Sequence, residues 1–242
     1  MIPRRFVIFG PDHRAVLALT PVAAFVLVAL ARRHRDDRTG TAVRVTLAAL
    51  MLAGVLGYVG AELRLGQVAL VEFLPLHLCD AAIFVGVFAL VTRKALACEL
   101  LYFWALAGST LAMVTPEVIW AFPDWRFVVF FLMHGLTVIA AAVLTFGFGC
   151  RPRPGAAWRA FGLTLGYAVL VAGLNRLLDA NFLYLRAKPV TPTLLDRFGP
   201  WPWYLVVSAA IGLALFHVLA LPFRETRRPG APPRSASGSA VP

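Results

Sequence analysis

Residues 68–91, VALVEFLPLHLCDAAIFVGVFALV, decide how this chain is built. The run is apolar for long enough to cross the ~30 Å of a bilayer's hydrocarbon, which takes about 20 helical residues. It nonetheless carries His77, Cys79 and Asp80 within four positions. An Asp at the centre of a spanning helix costs roughly 2.5 to 3.5 kcal/mol on insertion scales, so ionisable groups in such a run mark a functional site.

Runs of similar length recur on both sides of this one. Apolar stretches at 14–31, 42–61, 68–91, 95–115, 127–149, 157–177 and 203–222 are separated by Arg, Pro, Gly and Asp, the residues of loops. They predict an all-α, polytopic integral membrane protein with seven transmembrane helices in a single domain over 1–224. The remainder, 225–242, is rich in Pro, Ser, Gly and Ala and reads as a disordered tail. Composition agrees: of 242 residues 60% are hydrophobic and 14% charged, and the mean hydropathy is +0.78. No short apolar segment with a small-residue cleavage site precedes the first run, so that span reads as retained.

The net charge of +11 does not indicate nucleic acid, because the arginines fall in short segments between apolar runs. They report topology instead. Fourteen Lys and Arg residues lie on one side, from Arg32 to Arg44, Arg93 and Lys94, Arg151 to Arg159, and Arg224 to Arg234; nine lie on the other, among most of the acids. Cytoplasmic loops keep the excess of positive charge. The N-terminus is therefore expected outside and the C-terminus in the cytoplasm of a plasma (inner) membrane protein, with the unusual residues facing the outer half of the bilayer.

The three cysteines, Cys79, Cys98 and Cys150, are odd in number and lack C-x-x-C spacing, which indicates neither a disulfide framework nor a zinc knuckle. On a helix advancing 100° per residue, His77 and Cys79 point about 200° apart, whereas His77 and Asp80 are at i and i+3 and can share a hydrogen bond. Cys79 then needs a partner from another span. The fifth run offers His134, which enters from the same face roughly 10 Å deep, against roughly 16 Å for Cys79. A thiol beside an imidazole is the arrangement for nucleophilic attack on an acyl carbon. The competing readings are a buried, inert thiol and a histidine that merely packs helices. The opposed directions of His77 and Cys79 argue against one metal ion held by both, and no metal or cofactor is expected. Glu72, Asn175, Asn181, Tyr184 and Lys188 collect near outer ends as candidate substrate-binding groups. The glycines at 54, 57 and 60 read as a close helix-packing face.

Five blocks carry a resemblance: LPLHLCD at 74–80, YFWALAGSTLAMVTPE at 102–117, His134-Gly135, NFLYLRAKP at 181–189 and LLDRFGPWPWY at 194–204. With these the sequence resembles the YwaF-like family of bacterial integral membrane proteins over nearly its full length. It is also distantly similar to the eukaryotic transmembrane protein 164 family of phospholipid acyltransferases. That similarity implies a membrane-embedded Cys and His, falling on Cys79 and His134, which move acyl chains between phospholipids; the function expected here is an acyltransferase or acyl hydrolase acting on membrane phospholipids or lysophospholipids through an acyl-thioester. His77 and Asp80 would then orient the site. The blocks rich in Trp, Pro and Asn do not align with the acyltransferase, so its donor and acceptor do not carry over. The alternative is a small multi-pass transporter or lipid-binding protein without catalysis, although no internal repeat supports a common transporter design.

Overall fold

The computed structural model describes residues 4–66, 71, 74–190 and 193–224. Among these, seven helices follow one another: α1 (Pro11–Arg33), α2 (Arg38–Leu65), α3 (Leu78–Thr92), α4 (Ala95–Val114), α5 (Trp125–Gly147), α6 (Ala156–Leu177) and α7 (Trp203–Phe223). Six have the length and apolarity to cross a bilayer, the build of a multi-pass membrane protein; α3, with 15 residues, is shorter. Expected tail 225–242 and Glu72 lie outside the described residues.

The helix starts follow local chemistry. Pro11 occupies the first turn of α1, where its missing N–H costs nothing. Asp37 caps α2 by accepting from the Gly40 N–H at 3.0 Å, and Asp124 caps α5 by accepting from the Arg126 N–H at 2.9 Å. Gly66 ends α2 in the left-handed conformation that glycine adopts most readily. Two helices contain π turns, Trp104–Ser109 within α4 and Val143–Gly147 at the end of α5.

Helices α4 and α5 are central, with 56% and 61% of their spanning windows buried, against 6% for α1 and 11% for α7. The main core joins Leu47 and Met51 of α2, Ile83 and Leu90 of α3, Leu101 of α4, and Ile139 and Leu144 of α5. A second cluster packs Phe103 and Trp104 of α4 against Ala157 and Ala160 of α6 and Phe216 of α7. The expected glycine face on α2 is only partly used. A Cβ on Gly54 would meet Met133, but Gly57 and Gly60 face open space. The close approach lies elsewhere, at Gly147, where a Cβ would come within 2.7 Å of the Ala31 methyl.

Successive helices run in alternating directions. At one end the N-terminal segment hydrogen-bonds to the α4–α5 connection, Phe6 N–H to Ile119 O at 2.8 Å and Ala121 N–H to Arg4 O at 2.9 Å. At the other, arginines cap the carbonyls at the end of α5: Arg35 donates twice to Gly147 O at 2.8 and 3.1 Å, and Arg93 donates to Phe148 O at 3.2 Å. The Arg44 and Arg93 guanidinium groups both lie over the Phe148 ring, at 5.6 and 5.3 Å.

Candidate functional site

The run at 68–91 is not one long helix. Pro75 biases Leu74 toward extended backbone, and residues 74–77 stay outside the helix, which begins at Leu78 with His77 as its N-cap (φ −70°, ψ 149°). This corrects the third expected span and the angular argument made on it. His77 is not on the helix at all, and Cys79 and Asp80 sit in the first turn of α3 rather than in mid-span. Asp80 occupies the third helical position, where a carboxylate faces the unpaired N–H groups of the helix start and the positive end of its dipole.

A folded-back connection between α6 and α7 covers this helix head. The His77 ring packs against Phe182 at 5.3 Å and Tyr184 at 5.7 Å. The Tyr184 hydroxyl donates to Glu117 Oε2 at 3.1 Å, tying the connection to the residues that follow α4. Burial, the neighbouring Glu117 carboxylate and, last, Cys79 push the Tyr184 hydroxyl up to about 12. Beneath, the Tyr167 hydroxyl of α6 donates to Leu76 O at 3.0 Å and so holds the non-helical stretch before α3.

The connection keeps its shape through side chains. Asn175, fully buried, donates to Phe182 O at 2.9 Å and accepts from the Phe182 N–H at 2.8 Å. Asn181 donates to Ala187 O at 2.8 Å and accepts from the Arg186 and Ala187 N–H groups at 2.9 and 3.2 Å. Arg186 pairs with Asp179 at 2.7 Å, and Tyr204 donates through its hydroxyl to Tyr184 O. Three non-glycine residues here, Asp179, Leu183 and Tyr184, have φ of 49°, 59° and 52°, a conformation that persists only where surroundings enforce it.

The sequence-predicted residues therefore divide. His77, Cys79, Asp80 and Tyr184 meet at the head of α3. Asn175 and Asn181 are near it, but their side chains are engaged by the backbone they fold. Lys188 lies 3.7 Å from Asp196 and over the Tyr204 ring at 5.6 Å. His134 stands on α5, half-buried, its ring tilted against Phe130 at 4.2 Å, and its Nδ1 donates to Phe130 O at 2.8 Å. That bond leaves Nε2 as the acceptor nitrogen of the neutral ring. Among the described residues no hydrogen bond joins Cys79 to His134, and no group of three or more His, Cys, Asp and Glu side chains is gathered as a metal would need.

Sequence reading passed over two buried polar groups. His13 is fully buried, with Nδ1 accepting from the Phe9 N–H at 2.9 Å and Nε2 donating to Met113 O at 2.7 Å, which satisfies both nitrogens. Glu99, 1% exposed, is held by Arg153 and Arg159, each at 2.8 Å. A lone acid near the start of an apolar run is the signal that would have found it.

The TMEM164 family model matches residues 8–220. An uncharacterized protein of Treponema pallidum (strain Nichols) is 31% identical over 233 residues, covering 92% of each chain. No solved structure gives a significant match.

Proposed function

Because this chain belongs to the TMEM164 family, we propose that it is a membrane-embedded lipid acyltransferase or acyl hydrolase with Cys79 as nucleophile and His134 as general base. The observation that carries this reading is the position of Cys79. It is a free thiol in the first turn of α3, beneath a connection that side-chain clamps hold in shape. The unpaired N–H groups of a helix start stabilise negative charge that develops beside them.

In the reaction the Cys79 sulfur attacks the carbonyl carbon of a phospholipid ester while His134 Nε2 takes the thiol proton. The C–S bond forms, the C–O bond breaks, and His134 returns the proton to the departing lysophospholipid oxygen. A second lysophospholipid hydroxyl, or water, then attacks the thioester and gives its proton to His134, which restores the thiol. His77 and Asp80 fix the head of α3. Tyr184 supplies a hydroxyl at the same place. This chemistry requires α5 to bring His134 within proton-transfer reach of Cys79 when substrate is bound.

The wider frame of this proposal has α3 and the stretch before it completing a seventh crossing. The arginine-rich end faces the cytoplasm of the plasma (inner) membrane, and Cys79 works in the outer half. The YwaF-like resemblance of the blocks at 74–80 and 181–204 belongs to the same reading.

The test uses purified full-length protein in detergent with a phosphatidylethanolamine whose acyl chain is labelled. Expected is a hydroxylamine-labile label on Cys79, absent in Cys79→Ala and slowed in His134→Ala by about 100-fold, the usual scale of a general base. Label on another residue, or unchanged rates in His134→Ala, overturns the assignment.

A further inference from the structure

At the end of the bundle away from Cys79, helices α1 and α5 leave a groove of about 690 Å³ between them. Its walls are Ala24, Phe25, Val28 and Ala29 of α1 with Ala142 and Phe146 of α5, so it is almost wholly apolar. Its small side chains keep it open. The close contact of Gly147 with Ala31 and Val28 fixes the two helices just beyond it. The volume falls within the ~300 to 1,000 Å³ of small-molecule sites.

Two arginines, Arg32 and Arg33, close the groove at the arginine-rich end. Arg32 is pre-set there, because its Nε donates to Phe146 O at 2.8 Å, the carbonyl of a residue that itself lines the groove. That bond leaves the terminal N–H groups of the guanidinium for another acceptor. Among the described residues neither arginine has a carboxylate within ion-pair distance in the structure.

We propose that this groove holds one anionic phospholipid, an acyl chain along α1 and α5 and the headgroup phosphate between Arg32 and Arg33. The layout of the site matches the layout of the ligand, an apolar channel ending in two planar cations suited to phosphate. A second copy of this chain fits less well, since it would have to bring acids to the arginines. Among the described residues at that end Asp37 is occupied by Gly40 and His34 and Glu99 is buried between Arg153 and Arg159, which leaves Asp36, exposed, as the one remaining acid against a cluster of arginines. The proposal does not depend on acyl chemistry at Cys79.

The experiment places the full-length protein in phosphatidylcholine nanodiscs doped with a phosphatidylglycerol or a phosphatidylcholine carrying a diazirine in its acyl chain, and maps the cross-links. Phosphatidylglycerol should label residues 24–29 and 142–146 in preference to phosphatidylcholine. Each arginine should contribute about fivefold to that preference at low salt, with the effect shrinking as salt rises. Arg33→Gln, which leaves the Arg32–Phe146 bond in place, should cost about fivefold, and Ala29→Trp should block labelling by filling the groove. Equal labelling by both lipids, or an unchanged preference in Arg33→Gln, identifies ordinary boundary lipid and overturns the proposal. Protein–protein cross-links at the same residues overturn it in favour of a second copy.

Discussion

Asn175 holds Phe182 from both directions, donating to its carbonyl at 2.9 Å and accepting from its N–H at 2.8 Å. One buried amide thereby satisfies both backbone groups of a residue whose ring packs on His77. The head of α3 and the connection above it are thus one unit, and changes in Asn175 act on the Cys79 region through the backbone.

Replacing Asn175 by Ala should orphan two buried backbone groups and cost about 2 to 4 kcal/mol. Asn175→Asp keeps an acceptor for the Phe182 N–H but sets a carboxylate oxygen against the Phe182 carbonyl in a fully buried site, and should cost at least as much. Limited proteolysis reads the effect, as earlier cleavage within residues 179–202 than in the wild type. If Asn175→Ala resists cleavage there as well as the wild type does, the clamp is not what holds the connection.

A pH dependence follows from Asp37. His34 Nδ1 donates to its carboxylate at 2.7 Å and the Gly40 N–H at 3.0 Å, and the His34 bond is the larger reason that its carboxyl lies below the ordinary 3.8. A depressed carboxyl contributes stability above its unfolded value and loses it as the pH falls through the lower folded one. The thermal midpoint in detergent should therefore drop below about pH 4. Asn keeps the cap, so Asp37→Asn should flatten that portion of the curve, whereas Asp37→Ala should lower the midpoint at every pH. A wild-type curve with the same acid limb as Asp37→Asn would rule the group out.

The number of helices was legible because run length and loop composition separate seven segments cleanly, and the start of α6 and the end of α7 fall within a residue of the sequence reading. The start of α3 was not. Residues 68–77 are as apolar as a helix, and only Pro75 signals otherwise; a proline is equally at home in a first helical turn. The aromatic cover over His77 was illegible for a different reason. Its turns use left-handed Asp179, Leu183 and Tyr184 rather than glycine, and the contacts that enforce them come from the side chains of Asn175, seven residues back from Phe182 on α6, and Tyr204 on α7. Cys79, His77 and Asp80 could be named from residue type, but the engagement of Asn175 and Asn181 by backbone could not.

Cys150 lies just past α5, where Cys98 and Arg93 stabilise its thiolate and lower it to about 6. A thiol held down in this way ionises at a lower pH than a free one. Alkylation of Cys150 by iodoacetamide should rise with pH around a midpoint well below the ordinary 9.0. Removing Cys98, the larger cause, by Cys98→Ala or the cation by Arg93→Gln should move the midpoint upward toward the ordinary 9.0. A midpoint near 9 in the wild type would contradict the arrangement.

Glu99 supplies an asymmetry that separates a buried charge from its exposed partners. Its carboxylate is 1% exposed, whereas the side chains of Arg153 and Arg159 are 53% and 39% exposed. In Glu99→Gln the two guanidinium groups lose the charge and one of the two oxygens they share but can turn to water, so the cost should be about 1 to 3 kcal/mol. In Arg153→Ala/Arg159→Ala the carboxylate stays behind in the bundle with neither partner, and breaking a buried pair in that way costs about 3 to 5 kcal/mol. The triple variant, with Glu99→Gln added, should recover part of that loss, because the charge that cannot reach water has been removed. Unfolding midpoints in detergent rank the three. If Glu99→Gln proves the most destabilising, the arginines rather than the carboxylate are the groups that burial strands.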